Sequence, residues 1–249
     1  MSNSTGFKFS NAVIVVPLVA VISIWVVFWV ELKFKVNLNH HGVYPRKLSG
    51  LQGIAFSPFI HGSLNHLYNN TIPLAVLSTA LVYFYRSISF KVLFWGALLS
   101  GVITWLIGRP SYHIGASGII YLLASFIFFK GIFAKHFRLI ALSLIVVFVY
   151  GSMLWYVFPI KDGISWEGHL GGFLSGLFFA LILKVDVPQL KKYAWEKEGY
   201  SEENDAFLQH FDENGNFIES SPEPINETNG IKITYHIKKE APKNPSAKD

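Results

Sequence analysis

The sequence predicts an all-α membrane protein in which six transmembrane helices are followed by a polar C-terminal tail. Hydrophobic residues make up 51% of the 249 residues and charged residues only 15%, whereas a soluble domain carries about 25% charged residues. The hydrophobic residues also occur in separate runs, and several runs have the roughly 20 residues that a helix needs to cross a bilayer.

Residues 1–11 are polar, and the first apolar run covers about residues 12–32. This run is longer than the apolar part of a signal peptide and lacks a small-residue cleavage site, so it predicts a first transmembrane helix. A basic, partly amphipathic first loop follows at residues 33–63, and we expect it to be partly structured at the membrane interface. The remaining predicted spans are residues 64–85, 92–107, 118–129, 139–158 and 168–183.

The fourth span is unusually short, because Lys130 ends its apolar run. It covers roughly 20 Å, which is too little for a full crossing. The backbone before it, near Ser117, is therefore expected at membrane depth. Non-helical backbone is tolerated there only where protein buries it or where it lines a water-filled cavity. The sequence thus predicts a water-accessible pocket around Ser117.

Charge and composition predict the topology and the tail. More Lys and Arg residues fall on the inner side if the N-terminus is inside, so both termini are expected in the cytoplasm of a multi-pass protein in the plasma or inner membrane. We attribute the net charge of +5 to this topology and expect no nucleic-acid partner. Residues 186–249 are polar and largely flexible by composition, with a short helix near residues 188–199 and one strand at residues 231–237.

Composition also excludes several chemistries. The chain has no cysteine, so it has no disulfide, thiolate nucleophile or cysteine-ligated zinc. HExxH is absent, which argues against a zinc protease. No acidic residue lies well inside a span, since Glu31, Asp162 and Glu167 are all at span ends. Aspartyl chemistry is therefore excluded, and a serine enzyme here would use a Ser–His pair without a carboxylate.

Three polar motifs lie within or beside the spans, where such residues are costly and are candidates for function. The first is HGSLNHLYNN at residues 61–70, in which His66 and Asn70 share one helix face and His61 precedes them. Their hydrogen-bond donors could stabilise an oxyanion. The alternative is a set of interhelical hydrogen bonds.

The second motif is Gly115-Ala116-Ser117-Gly118, with Tyr121 one turn later on the face of Ser117. A helix that starts at Ser117 would offer backbone N–H groups to an oxyanion. The alternative is a small-residue packing motif, which is common in membrane helices.

The third motif is WEGHLGGFLSG, in which His169, Gly172 and Gly176 form one continuous helix face. The glycines allow a neighbouring helix to come close, as a Ser–His pair requires. The alternative is a buried histidine bonded to a carbonyl. His40, His41 and His113 are interpreted as polar loop residues.

In this order the three motifs resemble the rhomboid family of intramembrane serine proteases, over about residues 12–185. The resemblance implies a serine endopeptidase that cuts peptide bonds in or near transmembrane segments of other proteins, in contact with membrane lipids and without a metal or organic cofactor. The resemblance implies that Ser117 is the nucleophile, that His169 is the general base and later acid, and that the Tyr121 ring holds His169. The oxyanion donors would be His66, Asn70 and the Ser117 amide. Gly115 and Gly118 would belong to the serine loop, His61 would anchor the first loop, and Gly172 with Gly176 would form the packing face.

One feature departs from the family pattern, because the Trp-Arg pair that many bacterial relatives carry is absent from the first loop. Two other functions stay open: a non-catalytic rhomboid-like protein that binds membrane proteins, and a small transporter. The intact Ser, His, Tyr and oxyanion donors argue against the first. The lack of acidic residues inside the spans argues against the second.

Overall fold

The computed structural model describes residues 9–149, 155–161, 163–184, 193–205 and 207–218. The chain divides into two compact units, residues 1–190 and 191–249. The described part of the first unit is all-α, as predicted, with no strand in it. Its helices are α1 (Ala12–Phe34), α2 (Gly53–Phe56), α3 (Leu64–Phe84), α4 (Arg86–Ile107), α5 (Ser117–Phe133), α6 (Phe137–Val149) and α7 (Trp166–Ile182).

Among the described helices, α1 and α4 are both long and apolar enough to cross a membrane, whereas α5 and α6 are apolar but shorter. Only Val13, Pro17 and Ile24 are buried on α1. Its other faces expose large apolar side chains such as Leu18 and Trp29. A helix surface of this kind suits contact with lipid rather than with water.

Two predicted span boundaries are wrong. The third span was expected to begin at residue 92, but α4 already begins at Arg86. The fourth span was expected to end before Lys130, but α5 has 17 residues and continues to Phe133. It is therefore about 26 Å long, and its length alone does not place Ser117 at membrane depth.

Lys130 is tolerated inside α5 because its charge is solvated by carbonyl oxygens. Its ammonium donates hydrogen bonds to the carbonyls of Ala180 (3.0 Å) and Leu183 at the C-terminal end of α7. These carbonyls have no intrahelical donor and carry the negative end of the helix dipole. The contact therefore compensates for burial of the amine and ties the C-terminal halves of α5 and α7 together.

The first loop is structured, as expected, and it holds the segment that leads to Ser117. Besides α2 it contains three short helical turns, Asn39–His41, Leu48–Gln52 and Ser57–Phe59. Val43 and His113 exchange both backbone hydrogen bonds, at 3.0 and 2.9 Å, and the Gly115 N–H donates to the Ser57 carbonyl at 2.8 Å.

Helix α7 packs against α5 through glycine. A Cβ atom added at Gly172 would lie 2.1 Å from the carbonyl oxygen of Gly118, and one at Gly176 would lie 2.3 Å from that of Leu122. The contact positions advance in the same direction along both helices, so α5 and α7 run parallel. The glycine face predicted from the sequence is thus in backbone contact with α5.

A second small-residue face of α7, which the sequence analysis missed, packs on α4. The Ser175 hydroxyl donates to the Gly96 carbonyl at 2.8 Å. A Cβ atom at Gly171 would lie 2.8 Å from the Ser100 carbonyl oxygen. Here the contacts advance in opposite directions, so α4 and α7 are antiparallel, and α7 is held between α4 and α5.

The described part of the second unit contains three short 3₁₀ helices, Ala194–Glu196, Glu202–Asn204 and Leu208–His210. The first falls in the stretch where a short helix was predicted, although residues 188–192 lie outside the described residues. The Asp212 carboxylate accepts the N–H groups of Asn214 and Asn216 and so closes a turn. The predicted strand at residues 231–237 also lies outside the described residues.

Candidate active site

Ser117 is the first residue of α5, as the sequence predicts. The first hydrogen bond of the helix runs from the Ile120 N–H to the Ala116 carbonyl, at 3.1 Å. The amides of Ser117, Gly118 and Ile119 therefore have no acceptor within the helix. Such amides attract negative charge, so this end of α5 suits an oxyanion beside the Ser117 hydroxyl.

The loop before Ser117 turns at Gly115, whose φ of +107° favours glycine. A Cβ atom at this position would lie 2.6 Å from Nε2 of His66 and 3.5 Å from Nδ2 of Asn70. Glycine therefore lets α3 bring an imidazole and a carboxamide against the backbone that leads to Ser117.

Asn70 supplies a buried donor that no described residue accepts. Its side chain is 4% exposed, and its Nδ2 has no hydrogen-bond partner among the described residues. Leaving a buried donor unpaired costs about 1–3 kcal/mol. His66 precedes Asn70 by one turn on the same face of α3 and is half-buried. An oxyanion bound at this face would satisfy the Asn70 amide.

His61 anchors the serine loop as well as the first loop. Its Nδ1 lies 3.2 Å from the Phe59 carbonyl oxygen and its Nε2 lies 3.4 Å from the Ala116 nitrogen. Because a carbonyl only accepts, Nδ1 carries the hydrogen and Nε2 accepts the Ala116 N–H. Burial, reinforced by the nearby His66, lowers the pKa of His61 to about 4. The neutral ring therefore holds the residue before Ser117.

His169 lies in the first turn of α7, and its ring is held in two ways. The Tyr121 ring stacks on it, with the centroids 4.2 Å apart and the planes at 12°. Its Nδ1 lies 2.8 Å from the Tyr156 carbonyl oxygen. Since a carbonyl only accepts, Nδ1 carries the hydrogen, and Nε2 of the neutral ring keeps a lone pair that can accept a proton. A carbonyl thus orients this imidazole, as the carboxylate does in a Ser–His–Asp triad.

The N-terminal turns of α5 and α7 lie side by side. A Cβ atom at Gly118 would lie 3.4 Å from the Gly168 carbonyl oxygen, and Gly172 meets the Gly118 carbonyl itself. Ser117 and His169 therefore stand on adjoining turns of two parallel helices.

Ser117 lines a cavity of about 40 Å³, in line with the pocket predicted around it. This cavity has room for a few water molecules. Hydroxyl groups that could bind such water come from four further lining residues, Ser57, Ser100, Thr104 and Ser165.

Three features near the site were not predicted. Tyr156 contributes a main-chain carbonyl, which no sequence motif reports. His113 and Glu167 were interpreted as a polar loop residue and an acid at a span end, but they are only 4% and 1% exposed. Their burial depends on contact between the loop at residues 108–116 and the start of α7, which local sequence does not reveal.

Comparison with known proteins identifies the family of the chain. The rhomboid domain matches residues 49–185, which include the three motifs. An uncharacterized protein of Mycobacterium tuberculosis is 36% identical over 174 residues, which cover 66% of this chain and 71% of that protein. An uncharacterized protein of Mycobacterium leprae is 36% identical over 174 residues, which cover 66% of this chain and 67% of that protein. The chain therefore belongs to the rhomboid family and is an integral membrane protein.

Proposed function

We propose that the protein is an intramembrane serine endopeptidase that hydrolyses peptide bonds in or near transmembrane segments of other membrane proteins. The observation that carries this proposal is the orientation of the His169 ring, together with the tautomer that its hydrogen bond requires. Its Nδ1–H donates to the Tyr156 carbonyl and its ring stacks on Tyr121, which leaves Nε2 as a base. This base lies on the helix whose Gly172 meets the turn of α5 that begins with Ser117.

In the proposed reaction, Ser117 Oγ attacks the scissile carbonyl carbon while His169 Nε2 accepts the hydroxyl proton. The Ser117 amide, Asn70 Nδ2 and the His66 ring stabilise the oxyanion. The C–N bond then breaks, and the amine leaves with the proton from Nε2. Water gives a proton to Nε2 as its oxygen attacks the acyl ester, and this proton returns to Ser117 Oγ when the ester bond breaks.

The membrane arrangement is part of the proposal. The six spans would be α1 and α3 to α7 within a protease domain of residues 12–185, with residues 1–11 and the soluble tail of residues 186–249 in the cytoplasm. A substrate helix bonds its own backbone, so the scissile amide must first unwind. We therefore expect substrates with small or helix-weakening residues near the cut, and no requirement for a metal or organic cofactor.

Cleavage of a transmembrane model substrate by the full chain in proteoliposomes tests the proposal. We expect Ser117→Ala and His169→Ala each to lower kcat by about 10³-fold or more. Ser143→Ala is a matched control, because this buried hydroxyl bonds the Leu139 carbonyl within its own helix at 3.1 Å, and it should cleave at the wild-type rate.

Two outcomes would contradict the proposal that the protein is a protease with Ser117 as its nucleophile. Equal cleavage by wild type and Ser117→Ala would mean that another residue or another protein is the nucleophile. No cleavage by any variant, together with retention of the substrate by all of them, would favour a non-catalytic binder of membrane proteins.

A further inference from the structure

A second polar cluster lies at the start of α7, outside the proposed catalytic groups. At its centre is Glu167, which is 1% exposed. Its Oε1 accepts the Arg109 N–H at 3.0 Å. The Arg109 guanidinium also donates to the Ile164 carbonyl at 2.5 Å. Arg109 belongs to the loop that leads to Ser117, so this carboxylate joins that loop to α7.

His113, in the same loop, makes a second connection to α7. Its Nε2 lies 3.1 Å from the Arg109 carbonyl oxygen, so Nε2 carries the hydrogen. Its Nδ1, 2.6 Å from Ser165 Oγ, then accepts the serine hydroxyl hydrogen. Ser165 Oγ in turn accepts the Gly168 N–H at 3.3 Å and so caps α7.

The hydrogen bonds of the cluster fit a neutral His113. Glu167 Oε2 lies 3.9 Å from His113 Nδ1, a distance at which the two would attract each other only if the ring were protonated. Burial lowers the pKa of His113 below its ordinary value, against smaller effects of the Arg109 carbonyl and of Glu167. Near pH 7 the ring is therefore neutral, and the donors and acceptors from Gly168 through Ser165 and His113 to Arg109 match without conflict.

These hydrogen bonds connect the two segments that the proposed reaction must hold together. The loop with Arg109 and His113 ends at Ser117, the nucleophile of the proposed reaction. The turn with Ser165 and Glu167 continues directly to His169, its base. The glycine contacts fix how closely the helices pack, whereas the cluster fixes how the loop sits against the first turn of α7.

We propose that Glu167 and His113 are positioning residues, which hold the loop before Ser117 against the start of α7 and thereby set the approach of the Ser117 hydroxyl to the His169 ring. This proposal rests on the proposed protease function. Both side chains act through the backbone and Ser165, because the side-chain hydrogen bonds described for them go to Arg109 and Ser165 and not to the reacting groups.

The test measures kcat, KM and the rate of fluorophosphonate labelling for the full-length protein in proteoliposomes. We expect Glu167→Ala and His113→Ala each to lower kcat and the labelling rate by about 10- to 100-fold, because small displacements of reacting groups have effects of this size. KM should stay within about twofold, since substrate binding does not depend on the Ser–His approach. Glu167→Gln keeps an oxygen for the Arg109 amide and should lose less than Glu167→Ala.

A double variant separates a shared role from two independent ones. If Glu167 and His113 act on one loop, the kcat of the double alanine variant should be no more than about threefold below that of the less active single variant. Glu31→Gln is the matched control, because Glu31 Oε1 also accepts a backbone N–H, that of Leu38 at 2.9 Å, at the other end of the first unit's sequence. It should leave kcat unchanged.

Wild-type kcat in the folded alanine variants, or losses that multiply in the double variant, would overturn the positioning proposal. If the alanine variants do not fold, Glu167→Met and His113→Phe, which keep the bulk but remove the hydrogen bonds, decide: a lowered kcat at unchanged KM supports the proposal, and wild-type kcat overturns it. A wild-type protein that neither cleaves substrate nor reacts at Ser117 refutes the proposed function itself. Activity in wild type and in all cluster variants refutes only the positioning role.

Discussion

Replacing Gly172 with alanine is expected to push apart the two helices that carry Ser117 and His169. The added Cβ would lie 2.1 Å from the Gly118 carbonyl oxygen, whereas real Cβ atoms essentially never come within 3.0 Å of a heavy atom. The helices must therefore separate locally by about 0.9 Å. The obstacle is backbone, so no side-chain rotation can relieve it.

A displacement of this size falls between the proposed nucleophile, Ser117, and its proposed base, His169. A misplacement of about 1 Å costs about 100-fold in rate, so we expect kcat of Gly172→Ala to fall by about that factor. KM should change by less than about threefold, because Gly172 is buried and the substitution adds no group to the exposed surface. The stacking of Tyr121 on His169 should weaken as well, since the Tyr121 Cβ lies 3.0 Å from the new atom.

The assay is cleavage of a transmembrane substrate in proteoliposomes, with the thermal unfolding midpoint measured in parallel. Gly62→Ala is the matched control, because its Cβ would meet only the Ile114 side chain, at an ordinary 3.6 Å. Gly62→Ala should keep wild-type kcat. A folded Gly172→Ala protein with kcat within about threefold of wild type would refute the packing argument.

Three further predictions concern single side chains. Asn70→Ala should lower kcat by about 10²- to 10³-fold. It should not lower the unfolding midpoint, because it removes a buried donor that has no partner among the described residues. A lowered midpoint at full activity would contradict this. Lys130→Met should destabilise the fold by about 1–3 kcal/mol, since it leaves the terminal carbonyls of α7 unpaired. Its thermal unfolding midpoint is compared with that of Lys91→Met, which replaces an exposed lysine. Equal midpoints would contradict the prediction. Because burial lowers the pKa of His61 from 6.5 to about 4, the unfolded chain takes up a proton first as the pH falls. Stability should therefore decline between about pH 6.5 and pH 4 by up to about 3 kcal/mol, and an unfolding midpoint that falls equally in His61→Asn would contradict this.

Periodicity and polar motifs predict those parts of the fold that local sequence determines. The start of α5 at Ser117 follows from the change from a polar loop to an apolar run. The contact of α7 with α5 follows from Gly172 and Gly176, because only glycine allows two backbones to approach so closely. The resemblance to the rhomboid family is confirmed by the domain match over residues 49–185.

The errors arose where a distant residue decides the outcome. Lys130 reads as the end of a span, but carbonyls that lie 50 and 53 residues away in the chain accept its hydrogen bonds and let α5 continue. Glu167 and His113 read as an acid at a span end and a polar loop residue, but the meeting of a loop with the start of α7 buries them. In the same way, the Tyr156 carbonyl that fixes His169 cannot be read from side-chain identity.

The central claim, that His169 activates Ser117 as a nucleophile, is tested most directly by locating the covalent adduct of a fluorophosphonate probe. Peptide mass spectrometry on the full-length protein in proteoliposomes should place the adduct on Ser117 of the wild type. His169→Ala, unfolding at the same midpoint, should label at Ser117 at least about 10³-fold more slowly. An adduct on another residue, or equal labelling of Ser117 in wild type and His169→Ala, would contradict the claim.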